Sequence, residues 1–200
     1  MASGTGAVSL HPVFGHTDLQ ASLSRALAMG SLPPSLLIHG PRGVGKQRLA
    51  LWLGQLLLCP ESGPEGPCGE CKGCRMAVNL EHPDLHWYFP LAKPKGVRPA
   101  KLSEALEKAR YDTIAERKAR PLRPAAAPAE PTGLYLAVAQ ALRSHANRRP
   151  AVGLRQVFVI GDAETLVPQE SSQEAANALL KLLEEPPTST LIILTSSEPG

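Results

Sequence analysis

The sequence predicts an α/β fold in which a largely parallel sheet is flanked by helices, because strand-like and helix-like segments alternate. Apolar runs typical of buried strands occur at 35–39, 85–89, 156–161 and 190–195. Apolar residues at helical spacing occur at 17–29 and 171–185. Further helix-like segments occur at 48–58 and 134–146, and a possible helix that is charged on most faces occurs at 102–118. A glycine-rich loop joins the first strand to the helix that follows it, as in phosphate-binding α/β proteins.

This loop fits the P-loop pattern G-x-x-x-x-G-K-[ST] at every position except the last. Its glycines let backbone N–H groups surround a phosphate chain, and its lysine reaches the terminal phosphates. The residues predicted to hold phosphate are Gly40, Pro41, Arg42, Gly43, Val44, Gly45, Lys46 and Gln47. A plain Gly/Pro turn is the alternative interpretation. At the last position the pattern requires a hydroxyl that ligates Mg²⁺, and Gln47 lacks one.

A second departure lies after the strand at 156–161. Asp162 occupies the position of the carboxylate that usually holds Mg²⁺ in such sites. The glutamate that often follows it is replaced by Ala163, and Glu164 is displaced by one residue, toward the other face of an extended chain. Ser196, at the end of a neighbouring strand, is predicted to reach a γ-phosphate. ATP is thus a possible ligand, Mg²⁺ binding is expected to be weak or absent, and ordinary turn residues remain the alternative.

Four cysteines are predicted to bind a structural Zn²⁺, because their spacing is C-x8-C-x2-C-x2-C in a glycine-rich stretch. The predicted ligands are Cys59, Cys68, Cys71 and Cys74. A complete set of four thiolates leaves no open coordination position, so a catalytic zinc is not expected. Free buried thiols and an iron–sulfur cluster are the alternatives.

Composition narrows the remaining function classes. A net charge of +3 is too small to indicate nucleic-acid binding by itself. The N-terminus lacks the basic and apolar regions of a signal peptide, and no apolar run has the length of a membrane span, so a cytoplasmic location is expected. Residues 93–131 are predicted to form a flexible insertion with a Pro/Ala tract at 121–128, and most of its basic residues are expected to face solvent.

Several motifs together resemble the bacterial clamp-loader family of AAA+ proteins, which contains the gamma/tau and delta-prime subunits of DNA polymerase III. The P-loop is followed directly by the cysteine stretch at 59–74, as in that family. The further segments that carry the resemblance are 11–16, 68–74, 82–84 and 177–187. Gln47 and Ala163 depart from the gamma/tau pattern at the positions of metal ligation and water activation, which implies the delta-prime branch with degenerate ATPase motifs.

The resemblance implies that residues 1–200 are an AAA+ ATPase-like domain with an inserted zinc module at 59–74. The family's lid and collar domains would follow Gly200, so the chain is expected to be an N-terminal fragment. The implied function is to help load the sliding clamp onto primed DNA with the gamma/tau and delta subunits, with little or no hydrolysis of its own. The alternatives are an active gamma/tau-like ATPase and a zinc-knuckle module that binds nucleic acid through 93–131.

Overall fold

A computed structural model describes residues 13–119, 132–166 and 173–198. Its main sheet has four parallel strands in the order β1-β6-β5-β2. These strands are β1 (Ser35–His39), β2 (Leu85–Tyr88), β5 (Gln156–Ile160) and β6 (Thr190–Ser196). A smaller antiparallel pair joins β3 (Leu91–Ala92) to β4 (Thr132–Gly133). The predicted parallel sheet is confirmed, and each of its strands lies where an apolar run predicted it.

The helices confirm the predicted alternation with strands. They are α1 (Thr17–Ala28), α2 (Lys46–Leu58), α3 (Lys72–Val78), α4 (Leu102–Ala119), α5 (Leu136–Ala146) and α6 (Gln173–Glu184). Within the described residues, no helix is both long enough and apolar enough to cross a membrane.

The core lies where the central strands of the sheet meet α2. Every residue of β5 is buried, and Ile192 and Ile193 of β6 are fully buried beside it. From α2, Leu53 and Leu56 pack into the same cluster with no exposed surface. Because all four strands run in parallel, their carboxyl ends meet at one edge of the sheet. The P-loop, Asp162 and the residues after Ser196 therefore lie together at that edge.

Helix α4 lies within the predicted insertion and packs against the core through Leu106, Arg110 and Ile114. Most basic residues of 93–131 were expected to face solvent, and this expectation is wrong for Arg110, which is 5 % exposed. Its guanidinium pairs with Glu107 at 2.7 Å and donates to the Trp87 carbonyl at 3.3 Å, and these partners compensate for its burial.

The domain boundaries, including 93–131 as an insertion, stay predictions, and the Pro/Ala tract at 121–128 lies outside the described residues.

The loop before β5 is held by a buried carboxylate. Asp84 is 1 % exposed and accepts backbone N–H groups from Ala151, Val152 and Gly153, the last two at 2.9 and 2.8 Å. Burial alone would raise the pKa of Asp84, but these three donors outweigh it, so the pKa lies below its usual value. The charged carboxylate thus fixes the loop that leads into the central strand.

We expect Asp84→Asn to lower the free energy of unfolding by about 2 kcal/mol, because an amide N–H₂ would face backbone donors. The matched control is Asp112→Asn, at an exposed position of α4. Urea melts of both variants measure the difference. Since folding depresses this pKa, the stabilisation is present above the unfolded value of about 3.9 and is lost as the pH falls further. An Asp84→Asn effect that is equally large in strong acid would contradict the assignment.

Candidate functional site

The P-loop joins β1 to α2 with a backbone that favours glycine. Gly43 and Gly45 have φ angles of 84° and 91°, in the left-handed region that other residues rarely adopt. Gly45 is also the residue that caps the N-terminus of α2. The first backbone N–H groups of α2 therefore point toward the loop, which is the arrangement that binds anions at helix N-termini.

Lys46 is 8 % exposed and folds back across the loop. Its ammonium donates to the carbonyls of Gly40 and Pro41, both at 2.8 Å, and to Ser197 Oγ at 3.0 Å. These three acceptors use the full donor capacity of an ammonium group. A phosphate that entered the loop would offer Lys46 charged acceptors in exchange for neutral ones.

Gln47 contacts Asp162 directly. The amide Nε2 of Gln47 donates to Asp162 Oδ2 at 3.1 Å, so the residue after the lysine and the strand-end acid are partners. Gly161 lies against the Gln47 amide, since a Cβ atom added to Gly161 would lie 2.7 Å from the amide nitrogen of Gln47. Asp162 has a left-handed φ of 51°, and its N–H donates to Thr195 Oγ1 at 3.2 Å.

Ser196, the last residue of β6, and Ser197, which follows it, differ in their contacts. Ser197, which the sequence did not single out, is the serine that contacts Lys46. Ser196, the predicted γ-phosphate sensor, donates instead to the Glu198 carbonyl at 2.8 Å and accepts from the Glu198 N–H. Glu164 Oε1 accepts the Ser197 N–H at 3.2 Å, which brings Glu164 to the same edge. Within the described residues, Glu164 Oε2 is buried without a hydrogen-bond partner.

The outer side of the loop faces solvent. Pro41, Arg42 and Val44 are exposed. The Val44 carbonyl contacts His16 Nε2 at 2.7 Å, which ties the segment before α1 to the loop. His16 belongs to the segment 11–16 that carried part of the family resemblance; residues 11 and 12 lie outside the described residues.

Arg117 of α4 is a candidate site residue that sequence reasoning missed. Its guanidinium lies 4.7 Å from the ring centre of Trp87, which belongs to β2. It lies 3.9 Å from the ring centre of Phe89, the residue that follows β2. The end of β2 adjoins the end of β5, because the Gly161 N–H donates to the Tyr88 carbonyl at 2.8 Å. Burial lowers the pKa of Arg117, and the nearby Asp162 carboxylate opposes that change. The arginine therefore adds a positive charge that is near enough to Asp162 for the two charges to interact.

The four cysteines lie together after α2 and around the start of α3. Their sulfur atoms are all within 4.8 Å of one another. Backbone N–H groups support the cluster: Cys68 donates to Cys59 Sγ, Cys71 to Cys68 Sγ and Cys74 to Cys71 Sγ. A Cβ atom on Gly73 would lie 2.7 Å from the Leu58 carbonyl, so the close approach of α3 to the end of α2 requires glycine there. The cluster could bind a metal ion such as zinc, since four thiolates match a tetrahedral ion.

Burial raises the pKa of the Cys74 and Cys59 thiols, whereas backbone N–H donors lower the pKa of Cys68. A bound metal would have to displace the protons from the raised thiols. His82, which is close in sequence, is buried and accepts the Asp84 N–H through Nδ1.

A family model described as DNA polymerase III, delta subunit, matches residues 15–200. The chain belongs to this family. The DNA polymerase III subunit delta′ of Pseudomonas aeruginosa is 30% identical over 164 residues, which are 82% of this chain and 37% of that protein. The gamma/tau subunit of Mycobacterium bovis is 27% identical over 192 residues, or 96% of this chain and 26% of that subunit. The chain thus spans well under half the length of either relative.

A solved gamma subunit-related protein of Thermotoga maritima superposes with a TM-score of 0.43 at 16% identity, covering 89% of this chain and 39% of that one. The resemblance to the DNA polymerase III family is confirmed by the family model. The roles of the predicted site residues in this chain stay predictions.

We expect the chain to bind one Zn²⁺ through the cysteine cluster and Cys74→Ser to lose most of the affinity. Changes to groups that merely support metal ligands weaken binding by about 10- to 100-fold, so loss of a ligand should cost at least as much. Competition with a chromophoric chelator measures the affinity. Lys72→Ala, an exposed change in the same helix, is the control and should bind as tightly as the original chain. Equal affinity in Cys74→Ser would exclude a four-thiolate site.

Proposed function

We propose that the chain is the AAA+ ATPase-like region of a clamp-loader subunit of the delta′ type. The observation that carries this proposal is the hydrogen bond between Gln47 and Asp162, at the two positions where an active P-loop ATPase holds Mg²⁺. Family membership and the delta′ relative support the same conclusion. The subunit would act mainly by its contacts within the complex rather than by hydrolysis.

The chemistry of the site favours weak hydrolysis or none. Phosphoryl transfer to water needs a metal that neutralises developing charge and a group that orients the water. The residue after Asp162 is Ala163, which can orient no water. The nearby Glu164 uses one carboxylate oxygen to accept the Ser197 N–H. The loop and Lys46 nevertheless keep a phosphate-binding geometry, so ATP can be a ligand without being a substrate.

The partners proposed for the whole protein are the gamma/tau and delta subunits, with the sliding clamp and primed DNA engaged through the complex. The names of the relatives support membership of the same polymerase complex as gamma/tau. The delta subunit, the sliding clamp and primed DNA follow from the resemblance to the clamp-loader family. We place the protein in the cytoplasm, where replication takes place in bacteria.

Zinc in the cysteine cluster would be structural. Cys59 follows the last residue of α2, and Cys74 lies within α3, so a shared ion would join the two helices. A site with four protein ligands has no position left for water or substrate.

An active gamma/tau-like ATPase is the second candidate, since the gamma/tau relative aligns with 96% of the chain. In that case the amide oxygen of Gln47 would ligate Mg²⁺ and Glu164 would orient water. The observed contact is unfavourable for this mechanism, because the amide nitrogen faces Asp162.

We expect Lys46→Ala in the full-length subunit to leave the rate of ATP hydrolysis by the reconstituted complex within about twofold of the original rate. The reason is that removing a residue that does not contact the transition state does not change turnover. A coupled assay of phosphate release, with and without primed DNA, measures this rate. The isolated subunit and its Lys46→Ala variant should show equally low Mg²⁺-dependent turnover. A loss of about tenfold or more, in a variant that still assembles, would instead favour the active ATPase.

A further inference from the structure

The donor set at the P-loop edge does not fit a divalent cation. In P-loop enzymes Mg²⁺ is held by a hydroxyl after the lysine and by a strand-end aspartate. Here Gln47 and Asp162 occupy these positions and bond to each other at 3.1 Å. An ionised carboxylate only accepts hydrogen bonds, so the amide must present its N–H₂ group to Asp162. That group is a donor and cannot ligate a metal ion.

The residues around this contact fit it closely: residue 161 leaves room for the Gln47 amide, and neighbouring residues hold the Asp162 backbone. At Gly161 a Cβ atom would lie 2.7–2.8 Å from the carbon, nitrogen and oxygen of the Gln47 amide, so only glycine leaves room for it. The Asp162 N–H donates to Thr195 Oγ1, and Thr195 is fully buried. The Asp162 carbonyl accepts both the N–H and the hydroxyl of Thr165, at 2.9 and 2.7 Å. These bonds hold the Asp162 backbone in place, and the contact with Gln47 is the hydrogen bond that orients its carboxylate.

We propose that the P-loop of this chain binds the phosphate chain of a nucleotide without a divalent cation, with the Gln47 amide in the place of the metal. This inference rests on the proposed nucleotide-binding role of the loop and adds its ligand form, which is the metal-free nucleotide. The amide donates to Asp162 Oδ2, so this carboxylate has a hydrogen-bond partner without a cation.

Protein groups supply positive charge in place of the ion. Lys46 and the N-terminus of α2 lie on the β1 side of the site. Arg117 lies on the β2 side, stacked on Phe89 and close enough to Asp162 for their charges to interact. A metal-free triphosphate carries more negative charge than its Mg²⁺ complex, and it would meet positive charge on both sides.

The test is calorimetric titration of the full-length subunit with ATP, in excess Mg²⁺ and in EDTA. We expect the two dissociation constants of the original protein to agree within about twofold, a difference well below 1 kcal/mol. The near-isosteric variant Gln47→Glu places two carboxylates face to face, which a cation would bridge. Its binding should weaken by about tenfold or more in EDTA and recover with Mg²⁺.

Thermal melts without nucleotide give a second readout. Mg²⁺ should leave the melting temperature of the original protein unchanged and raise that of Gln47→Glu, since a ligand that binds only the folded state stabilises it. ATP binding that needs Mg²⁺ in the original protein, or no ATP binding in either buffer, would overturn the inference. Either result would leave clamp-loader assembly intact, so it would be distinguishable from failure of the proposed function.

Discussion

The hydrogen bond between Gln47 and Asp162 links the start of α2 to the end of the central strand β5. The rest of the site depends on it, because it decides which charges remain available at the edge of the sheet. Asp162 accepts from the Gln47 amide, while Lys46 donates to the loop carbonyls and to Ser197. The loop keeps its glycines and its lysine, while residue 47 lacks the hydroxyl that ligates Mg²⁺ and residue 163 lacks a carboxylate that could activate water. We therefore propose that the site holds a phosphate chain rather than cleaving it.

The fold and the position of the site follow from the sequence to a large extent. Every strand of the parallel sheet is a short apolar run, whereas helices repeat their apolar residues every three to four positions. The alternation of strands with helices could therefore be predicted from the spacing of apolar residues. Parallel strands bring their carboxyl ends to one edge, which placed the P-loop and Asp162 together. The cysteine spacing likewise predicted a cluster, and the four sulfur atoms do lie within reach of one ion.

The details that the sequence could not predict depend on contacts between distant segments. Ser196 and Ser197 are adjacent, and only the turn after β6 decides which of them meets Lys46. Arg110 and Arg117 lie in a helix of mixed charge, where no apolar period indicates that one is buried and the other stacks on Phe89. The bond from Gln47 to Asp162 spans 115 positions, and two polar residues carry no pattern that would announce it.

The most direct test of the account is nuclear magnetic resonance of the Gln47 side-chain amide in ¹⁵N-labelled protein, titrated with Mn²⁺. Its signal can be assigned by its loss in Gln47→Thr. A paramagnetic ion held between residues 47 and 162 would broaden this signal before any other. The account predicts that the Gln47 amide signal stays sharp in Mn²⁺ and shifts in Asp162→Ala, where its partner is removed. Selective broadening by Mn²⁺, with no shift in Asp162→Ala, would contradict it.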